Sequence, residues 1–317
     1  MFDPERMKAN RIHRFGPPDV IRFEDVDIPE ATAGTVVVQV RASGVGPWDT
    51  WIRAGKSTTT SEANLPITLG SDIAGVVTAV GDGVTGFVPG DAVFGVSNPR
   101  FNGGNAEYAL ALSTTIACKP ASIGYVEAAS APVVAVTAWQ MLEHAKVESG
   151  QSVLVLGAAG NVGAYAVQLA RIKGLRVVAT GSPSESDRLR LLGAVQVIDV
   201  RDPAAPLADL AVDAVIDTVG GELQTRSLDA LRPGGVFVSA VSGLDVGAAR
   251  RPDVRSVFFL VDVSTDGLYA LADLFDAGLL KTNVGVVLPL ADAVAAHEML
   301  EGTRSRPAGK IVLRSGT

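Results

Sequence analysis

Two hydrophobic patterns divide this 317-residue chain. Up to about residue 125, apolar positions come in short stretches between turn residues: residues 36–42 alternate, 73–80 run apolar, and 91–95 follow Pro89 and Gly90. Such spacing predicts short strands and a mainly β region. From about residue 126 to 280, apolar runs alternate with amphipathic stretches, which predicts βαβ units and a parallel sheet. Six strands are expected there: Ser152–Leu156, Arg176–Thr180, Gln196–Ile198, then 214–217, 236–240 and 256–261. Six is the number a doubly wound dinucleotide-binding sheet needs. A helical stretch at 268–277, a strand from Val284, a helix at 290–301 and a strand at 310–313 close the chain, while 201–210, with Pro203 and Pro206, reads as a loop. The fold class is therefore α/β.

Composition narrows the function classes. Apolar residues make up 47% of the chain, enough for two cores at this length. A net charge of −7 provides no footprint for nucleic acid or for an anionic membrane surface. No apolar run reaches a membrane span of about 18 residues, and the charged start, Met1 to Met7, does not read as a signal peptide, so a cytoplasmic protein is expected. Cys118 is the only cysteine, which rules out an intrachain disulfide or a multi-thiolate metal site. It reads as a small buried hydrophobe.

The chemistry concentrates after the strand Ser152–Leu156, where the chain continues as GAAGNVG at 157–163 and then takes a helical pattern over 164–173. Glycines there let the backbone turn sharply and approach a pyrophosphate, whose charge rests at the positive end of the helix. Gly157, Ala158, Ala159, Gly160, Asn161, Val162 and Gly163 are the candidate cradle, with Gly160, Asn161 and Val162 expected to present amides. The end of the second strand decides between NAD and NADP. An NAD site places a carboxylate there for the ribose 2′-hydroxyl. This chain reads Thr180, Gly181, Ser182, Pro183, Ser184, with no acid before Glu185, and offers Ser182, Ser184 and Arg188 to a 2′-phosphate. The expected cofactor is NADP(H), with Glu185 and Asp187 as nearby negatives that oppose it or stand as solvated helix charges.

The chain resembles the zinc-independent quinone oxidoreductase branch of the medium-chain dehydrogenase/reductase superfamily. The likeness runs from Met7 and is carried by GVGPWDTWIRAG at 44–55, LGSDIAGV at 69–76, GDAVF at 90–94, GNAEY at 104–108, TAW at 137–139 and GKIVL at 309–313. It implies a GroES-like β domain from residues 1–125 and 283–317, a Rossmann NADP(H)-binding domain from 126–282, and an active site in the cleft between them. By the same resemblance Thr137 and Val241 lie near the nicotinamide, Val219 and Gly220 by the cofactor, and Phe259 and Val261 above the site. The valines read equally as core packing, and Lys310 either reaches the cleft or is a solvated lysine before an edge strand.

Zinc-bearing relatives carry a Cys after the position of Val45 and a His-Glu pair after that of Gly70, where this chain has Gly46 and then Ser71 and Asp72. His13, His144 and His297 are far apart in sequence and read as ordinary, partly exposed residues, so no catalytic zinc is expected. Without a Lewis acid, a quinone or enone that spreads developing charge suits the site better than a simple ketone. Family members often carry Asn at Gly46 and Tyr at Trp51, which leaves the proton donor unassigned and Trp48, Asp49 and Trp51 as pocket candidates, with Asp49 also readable as a turn acid. The implied activity is NADPH-dependent quinone reduction. Enone or enoyl-thioester reduction and a non-catalytic NADPH-binding protein are the alternatives. The apolar segment 256–261, proposed for the sheet edge, suggests a homodimer unless a loop or helix of the same chain covers it.

Overall fold

A computed structural model describes residues 6–202, 205–245, 247 and 251–316. The start of the charged N-terminal segment, 1–5, and Pro203 of the expected loop lie outside them. The chain divides into two compact units, one running to Val133 and resuming at Val263, the other formed by Val134–Asp262. The boundaries implied by the resemblance fell at 125/126 and 282/283. The difference is physical: helix α7 (Thr265–Asp276) lies with the first unit, where the Thr265 hydroxyl donates to the carbonyls of Ser113 and Ile116 and its amide to Thr114.

Among the described residues the N-terminal part of the first unit supplies eight strands: β1 (Arg6–Ile12), β2 (Ile21–Asp27), β3 (Thr35–Val45), β4 (Ile67–Thr68), β5 (Asp72–Val80), β6 (Ala92–Val96), β7 (Tyr108–Leu112) and β8 (Ile116–Cys118). Helices α1 (Pro47–Arg53) and α2 (Tyr125–Ala129) follow the third and eighth of them. After α7 the chain adds β15 (Val284–Pro289), α8 (Ala293–Glu301) and β16 (Lys310–Arg314). A seven-stranded sheet runs β15-β16-β3-β5-β6-β8, with β7 also paired to β3, and a smaller sheet runs β2-β1-β4. Register slips in β3 against β5, at Val37/Val38 and Val40/Ala42, bend the long strand, as bulges do. Val36, Val38, Val40, Ile73, Val77, Val93 and Ile116 fill one core. A second core gathers Ile12, Ile52, Leu69, Leu290, Ile311 and Leu313 around α1 and α8.

In the second unit α3 (Pro132–Ala145) leads to β9 (Ser152–Leu156), α4 (Asn161–Ile172), β10 (Arg176–Thr180), α5 (Ser186–Leu192), β11 (Gln196–Ile198), β12 (Val212–Asp217), α6 (Glu222–Ser227), β13 (Leu231–Ser239) and β14 (Arg255–Phe258). The sheet order is β11-β10-β9-β12-β13-β14, all parallel. Val153, Leu154, Val155 and Leu156 of β9 are all buried, so the strand is covered on both faces, as parallel sheets require. The chain steps from β9 outward to β10 and later returns to the other side of β9 as β12. The carboxyl end of β9 is thus the point where strand order reverses, the place such sheets hold ligands. Among the described residues no helix is long and apolar enough to cross a membrane.

Candidate functional site

The turn after β9 is closed by hydrogen bonds and by the absence of side chains. Gly157 has φ +71°, a conformation that disfavours any Cβ, and a Cβ there would meet Thr218 Oγ1 at 2.6 Å. Gly163, in the first turn of α4, would bring a Cβ to 2.1 Å from the Gly157 carbonyl oxygen, so loop and helix approach as closely as backbone allows. Thr180 Oγ1 accepts the Gly157 amide at 2.9 Å, and the Thr218 hydroxyl donates to the Leu156 carbonyl at 2.7 Å, tying the turn to β10 and β12. The amide of Gly160 donates to Gly157 O at 2.9 Å and is spent on the turn, contrary to the expectation that it faces a ligand. The amides of Asn161, Val162 and Gly163 precede the helical ladder, which begins at Ala164 N to Gly160 O, and they form the positive end of α4. These residues fit a dinucleotide pyrophosphate.

A cavity of about 560 Å³ opens beside the turn. Its wall comprises Gly157, Ala159 and Gly160 from the turn, Thr180, Gly181, Ser182 and Glu185 after β10, Asp199, Val200 and Arg201 after β11, and Val219, Leu223 and Arg226 after β12. Sequence reasoning named the first six of these and Val219, and cast Glu185 only as a nearby negative that opposes a phosphate or stands as a solvated helix charge. It missed Asp199, Arg201 and Arg226, which the sheet brings in from other crossovers. A short 3-10 turn, Pro183–Glu185, folds Glu185 back on Ser182, whose amide and hydroxyl both donate to its Oε2 at 2.7 and 2.6 Å. The Ser182 hydroxyl foremost, then the Ser182 amide, holds the Glu185 carboxyl below its ordinary value, with Arg188 and Arg201 adding to the effect. Ser184 pairs with Ser182 at 2.9 Å, and Arg188 Nη1 donates to Ala159 O at 3.2 Å. Arg201 grips Asp199 through Nε at 2.8 Å and Nη2 at 2.5 Å, and this pairing lowers the Asp199 carboxyl to about 2.

Beyond the cavity, Asp217 at the end of β12 is fully buried and holds two loops at once. Its Oδ1 accepts the amides of Val219 and Gly220, each at 3.0 Å, and its Oδ2 accepts Gln224 Nε2 at 2.7 Å and the Ser239 hydroxyl at 2.8 Å. Ser239 Oγ in turn accepts the amide of Val241 at 3.0 Å. Val219 and Val241 are 48% and 41% exposed, which counts against the core-packing reading for both. Phe259 rests on the His144 ring with centroids 4.6 Å apart, Val261 is half-buried, Thr137 is buried on α3, and Ala158 is buried in the turn.

The first unit holds a different kind of polar cluster. Lys310 Nζ donates to Asp72 Oδ2 at 2.8 Å with both side chains sealed from solvent, and it lies 4.3 Å from the centroid of the Trp48 ring. Lys310 is therefore not solvated. Burial pushes the Asp72 carboxyl up, while the ammonium and the Val133 amide, 3.0 Å from Asp72 Oδ1, pull against that rise. Trp48 Nε1 donates to Ser71 Oγ at 3.0 Å. Asp49 is buried and accepts the Gly46 amide at 2.7 Å, so it caps α1 in the manner of a turn acid, and burial raises its carboxyl to about 7. Trp51 on the same helix is half exposed.

Two readings made from sequence are corrected here. His297 is not partly exposed: it is wholly buried on α8, where burial foremost and the nearby Arg53 cation lower it to about 3. Arg53 is buried as well and pairs with Glu301. Cys118 is exposed rather than buried, because β8 ends there at the edge of its sheet, and it accepts the Tyr269 hydroxyl at 3.5 Å. Among the described residues no group of three or more His, Cys, Asp or Glu side chains is placed to hold a metal ion.

Comparison with known proteins agrees with this architecture. A family model described as alcohol dehydrogenase GroES-like domain matches residues 32–147, and one described as zinc-binding dehydrogenase matches 192–313. A quinone oxidoreductase from Sus scrofa is 33% identical over 97% of each chain. A 2-methylene-furan-3-one reductase from Solanum lycopersicum is 33% identical over 98% of this chain and 79% of its own length. The solved quinone oxidoreductase from Coxiella burnetii superposes with a TM-score of 0.88 at 34% identity, covering 98% of this chain and 99% of that one. A parallel dinucleotide sheet joined in sequence to a GroES-like unit defines an oxidoreductase of the nicotinamide-dependent class. The chain belongs to the medium-chain dehydrogenase/reductase superfamily, among relatives that include quinone oxidoreductases.

Proposed function

We propose that the chain is a zinc-free reductase that takes hydride from NADPH and delivers it to a quinone or another conjugated carbonyl. The observation that carries this reading is the sealed Lys310–Asp72 pair. At the positions where zinc-bearing relatives supply metal ligands, this chain offers the side-chain-free Gly46, a Ser71 hydroxyl engaged by Trp48, and an Asp72 already bonded to an ammonium. A conjugated acceptor distributes the charge that a metal would otherwise neutralise. The nicotinamide ring, when bound, supplies the hydride. The residues of the chain bind and orient: the glycine turn and the first amides of α4 hold the pyrophosphate, and Ser184, Arg188 and Arg201 are the groups for a 2′-phosphate. Thr137, Gly220, Val241, Phe259 and Val261 are proposed at the cofactor, and Trp48 and Trp51 beside the acceptor.

The Sus scrofa relative favours a quinone, and the name of the Solanum lycopersicum relative, an enone reductase, favours a second reading as an enone reductase. NADPH consumption against 1,4-benzoquinone, a naphthoquinone and a set of enones separates the two. Turnover is expected with at least one class and is expected to survive chelator. No turnover with any acceptor despite NADPH binding would establish a binding protein instead, and one tightly held zinc per chain would overturn the zinc-free reading.

The proposal includes a cytoplasmic homodimer. β14 is the outer strand of its sheet and is followed by Leu260, which is 76% exposed, while Phe258 is 46% exposed, an edge and apolar surface that a second copy would satisfy. Light scattering at micromolar concentration is expected to read twice the 32.7 kDa chain mass, and Phe258→Pro to shift it toward monomer.

A further inference from the structure

We propose that Glu185 sets the balance between the two nicotinamide dinucleotides: its carboxylate accepts the 2′-hydroxyl of the NADH adenosine ribose and repels the 2′-phosphate of NADPH, so that the chain uses both. The inference rests on the cofactor reading above and qualifies its NADPH preference. Local sequence shows no acid at the end of β10, yet the 3-10 turn returns one to that place. One carboxylate oxygen, Oε2, is anchored by the Ser182 amide and hydroxyl. The other, Oε1, takes no hydrogen bond from the described residues, and Glu185 stands in the cavity wall beside Gly181, which contributes no side chain to block it. An anchored carboxylate with a free oxygen is the acceptor that a ribose hydroxyl requires.

Most of the groups that favour a phosphate are engaged elsewhere, Ser184 with Ser182 among them, while Arg226 donates only to the backbone carbonyls of Val200 and Asp202. The Ser182 hydroxyl is donated to Glu185 itself, Arg201 has its charge matched by Asp199 in a two-point pair, and Arg188 is turned to the carbonyl of Ala159. A 2′-phosphate must therefore compete with a fixed negative charge and recruit cations that already have partners. A 2′-hydroxyl meets an acceptor that is already in place.

The test is equilibrium titration of the full-length protein with NADPH and NADH, followed by nucleotide fluorescence, so that the readout does not depend on turnover. In the parent the two dissociation constants are expected to lie within about tenfold of one another. Glu185→Gln keeps an amide oxygen for the Ser182 N–H while removing the charge. It is expected to tighten NADPH by about tenfold and weaken NADH several-fold, the size of one charge-assisted contact. Asp187→Asn, the same charge change two residues on at an exposed position of α5 outside the cavity, is expected to leave the ratio unmoved. An unchanged ratio in Glu185→Gln with an intact thermal melt, or an equal change in Asp187→Asn, overturns the assignment. Failure of the parent to bind either dinucleotide would overturn the cofactor reading itself.

Discussion

The cavity of the parallel-sheet unit and the sealed cluster of the GroES-like unit are both rich in charge, and they treat it in opposite ways. Around the glycine turn, Glu185, Asp199, Arg188 and Arg201 keep contact with solvent, and most are partnered by neighbours a few residues away. In the other unit Asp72 and Lys310, or Arg53 and His297, come from positions more than two hundred residues apart and are closed off from water, although Glu301, which pairs with Arg53, keeps solvent contact. Charge left wet costs little and is free to bind a ligand, whereas charge sealed in a core has committed its partners to folding.

The sharpest way to break this contrast is to remove one member of the sealed pair. Lys310→Met should destabilise the protein by about 3–5 kcal/mol in urea unfolding at neutral pH, because Asp72 is left buried without its ammonium. The double variant with Asp72→Asn should recover much of that loss. A single variant as stable as the parent would show that the pair is neutral in the folded state.

Acidity separates the regions next. His297 titrates near 3 when folded against 6.5 ordinarily, so the unfolded chain binds the extra proton between those values, and stability should fall as pH drops from about 6.5. Asp49 has the opposite sign. Its folded value near 7 against 3.8 means that the folded chain holds the extra proton, and stability should decline as pH rises from about 4 to 7. Denaturation midpoints across pH 4–8 should lose their acid limb in His297→Gln and their neutral-side decline in Asp49→Asn. A parent profile that keeps its shape in both variants would remove these two groups as its cause.

The smallest effect is expected at Arg201. Its pair with Asp199 keeps Arg201 exposed to solvent, so Arg201→Ala should leave the melting temperature nearly unmoved, while NADPH binding weakens several-fold because a bare Asp199 then faces the phosphate. A shift in melting temperature without a change in NADPH affinity would assign the pair to structure.

The same contrast explains what was legible in the sequence. The turn at 157–163 was readable because its strand, glycines and helix are contiguous, and so were the six strands, whose edges shifted by a few residues where pairing extends past the apolar run, as in β13 (Leu231–Ser239), or stops short of it, as in β14 (Arg255–Phe258) against the expected 256–261. Glu185 was visible as an acid, but its return to Ser182 depends on a 3-10 turn that carries no hydrophobic period. Arg201 and Arg226 enter the cavity only through the order of the sheet, which local pattern does not encode. His297 looked like an ordinary helix residue because its burial comes from the packing of α8 on the core around Ile52 and Leu290, a property of two distant segments meeting.

The Asp217 network has a consequence for how a cofactor arrives. Four donors, two from the loop after β12, one from α6 and one from the end of β13, converge on one carboxylate, so the first residues of the two loops, at Val219, Gly220 and Val241, are held before any ligand is present. The disorder those loops would otherwise surrender on binding has already been given up during folding. Association at this edge of the cavity is therefore a docking onto a finished surface, with its affinity preserved from the entropic loss that a mobile loop would impose.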